Sequence, residues 1–149
     1  MTTVRKLLDE KNQDEMIYSV AANDTVLHAL HVMADADTGA VLVSDGDHYV
    51  GIFTERDYAR EGELKGHYAK DTLIKDVMTE TMVSVKLETT VEECMELMTM
   101  HSIRHLPVVS KARIIGLVSI RDVVRAVTED NHSTINDQEN YIQGTGYGR

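Results

Sequence analysis

Apolar residues recur at helical spacing in two stretches of the chain, one in each half. The two sets are Val26, Ala29, Leu30 and Met33 in the first half and Val91, Cys94, Met95 and Met98 in the second. Residues at these steps share one face of a helix, so each stretch predicts an amphipathic helix. Thr90 and Glu93 have the spacing of a capping box, which marks the start of the second helix.

Two short apolar runs follow each predicted helix, and turn-forming residues separate them. Short runs between such turn signals predict buried strands. An extended piece at Ser19 or Ser84 precedes each helix, and a closing helix is expected to begin near Thr54 and Ser119. Each half is therefore predicted to be a β-α-β-β-α unit. The strands are expected at 40–43 and 49–53, around the turn 44–47, and at 106–109 and 114–118, around the turn 110–112.

The two halves are copies of one another. A shift of 65 residues aligns residues 19–57 with residues 84–122 without a gap, and it places 51–57 on 116–122. An ungapped match of this length indicates a duplication. A single unit of about 55 residues is marginally stable on its own, so the copies are expected to pack face to face. The predicted fold class is α/β, or more broadly α+β, with two tandem units.

The predicted domain boundaries follow the repeat. Residues 1–16 are expected to form an N-terminal helix. The chain after the second copy is polar, and we expect this tail to be mobile, with 136–142 as a candidate short helix. The boundaries are 1–61 for the first copy with its N-terminal helix, 62–73 for the linker, 74–128 for the second copy and 129–149 for the tail.

Charge and composition narrow the range of partners. Acidic residues outnumber basic ones 25 to 15, for a formal charge of −10, which argues against a nucleic-acid backbone as partner. No run approaches the roughly 18–20 apolar residues that span a bilayer, so no membrane partner is expected. The N-terminus lacks the apolar stretch of a signal peptide, and Cys94 is the only cysteine. A cytoplasmic, reducing location is therefore expected.

A motif at the corner where the last strand of each copy meets the closing helix carries the candidate chemistry. It has the form Gly-apolar-apolar-(Thr/Ser)-x-Arg-Asp and occurs twice. A helix N-terminus attracts anions, an arginine fork suits phosphate, and a carboxylate accepts hydrogen bonds from sugar hydroxyls. These groups together predict a ribose-phosphate site. The hydroxyl residues are Thr54 and Ser119, the arginines are Arg56 and Arg121, and the acids are Asp57 and Asp122.

The same spacing also fits a helix cap. In a capping box the hydroxyl accepts a hydrogen bond from one backbone N–H, and the acid three residues later accepts from another. The two interpretations overlap, because a ligand can displace or supplement a cap. The presence of two copies, each after a strand that contains the glycine of the motif, favours binding.

The tandem units resemble cystathionine β-synthase (CBS) domains, and the whole chain resembles a stand-alone CBS pair of the bacterial or archaeal type. The resemblance covers roughly residues 4–128. It implies a disk-like, pseudo-twofold module that usually associates as a homodimer. Such modules bind AMP, ADP, ATP, S-adenosylmethionine or, in some members, NAD(H) in the clefts between the copies. The motifs that carry the resemblance are Ile74-Lys75-Asp76-Val77-Met78, Met98, Leu106-Pro107-Val108-Val109 and Gly116-Leu117-Val118-Ser119-Ile120-Arg121-Asp122.

The resemblance also implies roles for individual residues. The acid of the corner contacts ribose, which applies to Asp57 and Asp122, and the hydroxyl residue of the corner is Thr54 or Ser119. The strand starts that face adenine are Ala40, Val41, His105, Leu106 and Pro107, and the segments before the first helix of each copy are Ile17, Tyr18, Ser19, Met82, Val83 and Ser84.

The chain departs from the family pattern in three places. Leu42 stands where the second copy has Pro107, and the opening residues 4–8 match 74–78 only weakly. Similar small bacterial proteins carry a Lys-Ser-Ser-like linker that can face phosphates, whereas this linker contains Gly66-His67-Tyr68-Ala69-Lys70. The role of Lys70 as a phosphate contact therefore stays open. The two sites are expected to differ in affinity or in ligand.

The histidines and the single cysteine offer a different function, that of a metal or redox module. His28 and His31 lie three residues apart on a predicted helix, His101 and His105 lie four apart, and Cys94 is near them in sequence. The repeat places His105 at a strand start, which breaks the helical geometry, and no further ligand follows at zinc-like spacing. Cys94 lies on the apolar face of its helix, which indicates core packing, so no metal is expected.

The chain could also be an enzyme, or a dimerisation unit that binds no ligand. No sequence feature arranges a base around a nucleophile, and each corner acid lies beside an arginine, which is expected to keep it ionised. The favoured function is a non-catalytic sensor in which an adenine nucleotide changes the angle between the copies. Because no output domain is present in this sequence, a regulated protein partner is expected, which the sequence does not identify.

Overall fold

The computed structural model of the protein describes residues 1–11 and 17–129, and both copies follow the predicted order, except for one strand and one helix. The helix α1 spans Val4–Glu10. The first copy contains β1 (Ser19–Ala21), α2 (Val26–Ala36), β2 (Ala40–Asp45), β3 (His48–Thr54) and α3 (Glu55–Asp57). The second copy contains α4 (Val91–His101), β4 (His105–Ser110), β5 (Arg113–Ser119) and the closing helix α5 over 120–129.

Threonines begin both central helices. Thr90 accepts a hydrogen bond from the backbone N–H of Glu93 at 3.1 Å, and the Glu93 carboxylate accepts one from the N–H of Thr90 at 3.2 Å, which confirms the predicted capping box. Thr25 caps α2 by accepting from the N–H of His28. The apolar faces pack inward as the spacing predicts, although Met95 is 39% exposed.

The opening strand of the second copy is shorter than the sequence predicts. In the first copy β1 pairs in parallel with β2, which pairs antiparallel with β3. In the second copy β4 and β5 form a two-stranded sheet, and Val85 adds only an isolated bridge to Val108. The difference follows from Pro107. Its counterpart Leu42 donates an N–H to the preceding segment at 3.0 Å, whereas proline has no N–H to donate.

The closing helix of the first copy is irregular, which corrects the expectation of a regular helix from Thr54. After α3, a π turn at Tyr58–Gly62 and a 3-10 turn at Glu63–Lys65 end the segment at Gly66, whose φ is +77°. Gly62 is buried against the Tyr58 ring. The second copy has Val123, Val124 and Val127 at helical steps in α5. The first copy has Tyr58, Ala59 and Gly62 at the equivalent positions, and the glycine disfavours a regular helix.

The opening segment of each copy packs on the opposite copy. Val4 and Leu7 of α1 are buried in the core of the second copy, and the N–H of Val4 donates to the carbonyl of Thr89 at 2.8 Å. Ile74 and Val77 are buried in the core of the first copy. The helix predicted for residues 1–16 is shorter in the structure, where α1 ends at Glu10. Residues 12–16, the tail from 130 onward and the candidate helix 136–142 lie outside the described residues.

The two glycines of the corner motif lie where these exchanged segments cross the sheets. A Cβ on Gly51 would meet the Met78 sulfur at 2.7 Å and the Thr79 carbonyl at 2.9 Å. A Cβ on Gly116 would meet the Leu8 side chain at 2.9 Å. Close approach of another segment therefore explains why glycine opens the motif.

The two copies pack face to face, as the repeat predicts. Ala40, Leu42 and Ile52 of the first sheet form a buried cluster with Ile114 and Leu117 of β5. This contact leaves a cleft at the edge between the copies. Among the described residues, the longest helices fall short of the length and apolar character that a bilayer span requires.

Candidate functional site

A cleft of about 940 Å³ opens between the copies. Cavities of roughly 300–1,000 Å³ hold small molecules of nucleotide size. Both copies contribute the ends of strands and helices, and the opening segment of the second copy contributes 79 and 81–83. The remaining lining residues are 37–39, Ile52, 54–57, 60 and 61 from the first copy and 101–105, Pro107 and 119–121 from the second.

The first corner lies at the edge of this cleft and forms a capping box. The N–H of Thr54 donates to Asp57 Oδ2 at 3.0 Å, and the N–H of Asp57 donates to Thr54 Oγ1 at 3.1 Å. The hydroxyl of Thr79, in the opening segment of the second copy, donates to Asp57 Oδ1 at 3.1 Å. The helix-cap interpretation of the motif is therefore correct here, and one carboxylate oxygen is engaged only by an exposed hydroxyl among the contacts described.

The pKa of Asp57 is set mainly by burial, and not by the neighbouring arginine as the sequence predicts. Burial raises the pKa of Asp57 above its ordinary 3.8, although hydrogen bonds from Thr54 and Thr79 oppose this shift. Arg56 does not offset the burial, because its guanidinium donates across the cleft to the backbone carbonyl of Ser102. The expected influence of the neighbouring arginine on the pKa of this acid is therefore not seen at this corner, where burial dominates.

Arginines supply the positive charge of the cleft. Arg56, Arg60, Arg104 and Arg121 all line it, and no lysine of the described residues does. These are half of the eight arginines in a chain whose formal charge is −10. Four acids line the same cleft, so its formal charge is near zero while the rest of the chain is strongly negative. Planar guanidinium groups concentrated in this way suit a phosphate-bearing ligand.

The second corner has the same cap but a different covering group. The N–H of Ser119 donates to Asp122 Oδ2 at 2.8 Å, and the N–H of Asp122 donates to Ser119 Oγ at 3.2 Å. The Lys11 ammonium lies 2.9 Å from Asp122 Oδ2 and donates to the carbonyl of Leu117 at 2.7 Å. The Asp122 side chain is only 8% exposed and is outside the lining of the cleft.

His105 lies between the two corners. It begins β4, lines the cleft and approaches Gly39 of the first copy, where a Cβ would be 3.6 Å from its Cε1. Burial lowers the pKa of His105 to about 4, with Lys11 and Arg104 adding to the shift and Asp122 opposing it. A neutral imidazole can both donate and accept hydrogen bonds to a ligand in the cleft.

The structure brings half of the predicted site residues together at the cleft. The residues that line it are Thr54, Arg56, Asp57, Met82, Val83, His105, Pro107, Ser119 and Arg121. The others fall outside its lining: Ala40, Val41 and Leu106 are buried in the cores, Asp122 faces Lys11, Lys70 is exposed in the linker, and Ile17, Tyr18, Ser19 and Ser84 lie elsewhere.

The C-terminal ends of the central helices are site residues that the sequence analysis missed. Asp37 and Ser102 both end a helix in the left-handed conformation, with φ of 53° and 55°, and both line the cleft. The repeat contains the signal, because a shift of 65 places Asp37 on Ser102. Arg60 had a local signal, because it lies one helical turn after Arg56 and Asp57, whereas nothing local links Thr79 to Asp57.

The described residues do not assemble a metal site. No group of three or more His, Cys, Asp or Glu side chains within 1–11 and 17–129 could hold an ion. His105 starts a strand, as the repeat predicts. Cys94 is buried in the core, and burial raises the pKa of its thiol to about 11, so core packing is confirmed for this residue.

Comparisons with known proteins identify the repeat. The CBS domain family model matches residues 14–63 and 74–129. The chain is 39% identical to the mitochondrial CBS domain-containing protein CBSX3 of Arabidopsis thaliana, over 98% of this chain and 74% of that protein. A solved protein with CBS domains from Burkholderia ambifaria is 44% identical, with a TM-score of 0.83, over 87% of this chain and 96% of that one.

A more distant structure shares the fold and contains ligands. The CBS domain pair of protein MJ0100, solved with 5′-methylthioadenosine and S-adenosylmethionine, is 21% identical with a TM-score of 0.73, over 87% of this chain and 98% of that one. The tandem α/β architecture predicted from the repeat is thus that of solved CBS pairs. The chain belongs to the CBS domain family, as a tandem pair of CBS domains.

Proposed function

We propose that the chain is a non-catalytic regulatory protein that binds an adenine nucleotide in the cleft between its two CBS domains. A general regulatory role fits a protein built as a CBS pair. The observation that carries the proposal is the position of Asp57, a partly buried carboxylate at the edge of a cleft that four arginines line.

Each group of the cleft fits one part of such a ligand. A ribose hydroxyl replaces the Thr79 hydroxyl as donor to Asp57 Oδ1, a contact now 3.1 Å long. The apolar side chains of Met82, Val83 and Ile103 offer a surface for adenine, and His105 offers a polar group beside it. The arginines bind phosphate through paired N–H donors.

The charge of the cleft favours phosphorylated ligands over the other candidates. S-adenosylmethionine carries a sulfonium cation and methylthioadenosine carries no phosphate, so the arginines gain little from either. AMP, ADP, ATP and NAD(H) each present phosphate groups to the four guanidinium groups. We therefore rank these nucleotides above S-adenosylmethionine, although the MJ0100 pair holds the latter.

The regulatory step follows from the position of the ligand across both copies. Arg56 of the first copy already donates to the Ser102 carbonyl of the second. A phosphate that recruits Arg56 breaks this link and changes the relative angle of the copies. The two angles bind a homodimer partner or a separate regulated protein with different affinities, and in this way the partner senses the nucleotide.

Isothermal titration with AMP, ATP, NADH and S-adenosylmethionine tests the proposal. We expect a phosphorylated nucleotide to bind, and Asp57→Asn to weaken it at least about tenfold, since a charged acceptor becomes neutral while the cap is kept. Asp47→Asn, in the exposed turn after β2, is the matched control and leaves affinity unchanged. Absence of binding by all four ligands at millimolar concentration refutes nucleotide sensing and favours an unliganded dimerisation unit.

A further inference from the structure

The Lys11 ammonium is paired with the carboxylate of the second corner, the group that a ribose would contact there, through Oδ2, the oxygen that also accepts the Ser119 cap. Its nitrogen lies 2.9 Å from Asp122 Oδ2 and donates to the carbonyl of Leu117 at 2.7 Å. An ammonium and a sugar diol both act as hydrogen-bond donors toward a carboxylate. The chain therefore satisfies Asp122 with its own donor.

Lys11 is held at this position by the fold of α1. Val4 and Leu7 are buried in the second copy, and Leu8 packs over Gly116 of β5. After Glu10 the backbone becomes extended at Lys11, with φ −72° and ψ 137°, and its side chain reaches the end of the same strand. The contact thus rests on a helix anchored in the core.

The first corner lacks an equivalent occupant. The match of residues 4–8 with 74–78 places Lys11 on Thr81, which lines the open cleft. Asp57 instead accepts from the hydroxyl of Thr79, an exposed residue. When a ligand displaces the Thr79 hydroxyl from Asp57, that hydroxyl hydrogen-bonds with water instead. A ligand at Asp122 must break an ion pair whose side chains are 20% and 8% exposed.

We infer that Lys11 is a built-in occupant of the Asp122 corner, which restricts nucleotide binding to the Asp57 corner and sets a stoichiometry of one nucleotide per chain. The inference rests on the proposed function for its ligand. The occupancy of the corner by Lys11 is a property of the free protein and can be measured separately.

Equilibrium dialysis with ATP and AMP measures the stoichiometry. We expect one nucleotide per chain for the wild type, binding weakened at least tenfold by Asp57→Asn, and binding unchanged by Asp122→Asn. Lys11→Met removes the ammonium and raises the stoichiometry to two. Lys6→Met is the matched control, because Lys6 is on the same helix with an exposed side chain and contacts only Glu10 among the ion pairs described.

Two results overturn the inference. One is a wild type that binds two nucleotides per chain, of which Asp122→Asn removes one. The other is a folded Lys11→Met protein, judged by circular dichroism, that still binds one. The wild-type stoichiometry decides the matter even where Lys11→Met fails to fold.

A double-mutant cycle separates this inference from the proposed function. Thermal unfolding of Lys11→Met, Asp122→Asn and the double variant measures whether the two side chains interact in the free protein. We expect the double variant to lose less melting temperature than the sum of the single losses. Additive losses overturn the occupancy of the corner, whether or not any nucleotide binds. Clear coupling together with no binding by the wild type rejects the proposed function and retains the occupancy.

Discussion

The two corners of this CBS pair have the same motif and the same capping box, yet they differ in what covers the carboxylate. Asp57 accepts a hydrogen bond from the neutral hydroxyl of an exposed threonine, whereas Asp122 is paired with the ammonium of Lys11, the residue that follows α1. Local sequence fixes the cap in both cases. The availability of each carboxylate depends on a segment that arrives from elsewhere in the chain.

The segments that cross the sheets at Gly51 and Gly116 also differ in how closely they pack. This difference gives the largest expected effect on stability. Gly51→Ala should destabilise the protein by about 2–3 kcal/mol, because the new Cβ meets the backbone carbonyl of Thr79, which is held by a hydrogen bond from the N–H of Ile52. Gly116→Ala should cost about 1 kcal/mol or less, because the Leu8 side chain can rotate away. Urea unfolding of both variants measures the difference, and equal losses would contradict this account of the crossings.

The stability of the free protein offers a second contrast between the corners. Asp122→Asn should cost about 2 kcal/mol, since it leaves the Lys11 ammonium without its charged partner in a largely buried position. Asp57→Asn should change stability by less than about 0.5 kcal/mol, because the amide keeps the cap and burial already disfavours the charged carboxylate. Thermal or urea unfolding checks both. A larger loss for Asp57→Asn would show that its charge stabilises the fold.

Much of the fold could be predicted from sequence because its determinants are local. The helical spacing of Val91, Cys94 and Met98, the Thr90–Glu93 cap and the 65-residue shift all involve residues close in sequence or equivalent by repeat. The same shift contains the equivalence of Asp37 and Ser102, which both line the cleft.

The covering of Asp122 could not be predicted in this way. Lys11 and Leu117 are separated by 106 positions, and α1 packs on the copy that is distant in sequence. Neither hydrophobic periodicity nor motif spacing indicates a contact between residues so far apart in the sequence. The shortened opening strand of the second copy was predictable in principle, because Pro107 lacks the N–H that Leu42 donates.

His105, which lies between the corners, predicts a dependence of stability on acid pH. Its folded pKa of about 4 is below the ordinary 6.5, so the unfolded chain takes up a proton that the folded protein does not. Stability is therefore lost as pH falls from 6.5 toward 4, by about 1 kcal/mol over the first unit. His105→Gln should remove this component of the profile, and His31→Gln, on an exposed part of α2, should not. Equal slopes for the wild type and His105→Gln would contradict the burial of a neutral imidazole.

The smallest expected effect concerns the hydroxyl that covers Asp57. Thr79→Val removes the donor to Asp57 Oδ1 but should cost less than about 0.5–1 kcal/mol, because water replaces the exposed hydroxyl. Nucleotide affinity should stay within about threefold of the wild type, since the ligand displaces this group anyway. Thr81→Val, which also lines the cleft, is the matched control. A tenfold loss of affinity in Thr79→Val alone would mean that the hydroxyl contacts the ligand directly, so that a donor from the opening segment of the second copy also forms part of the first site.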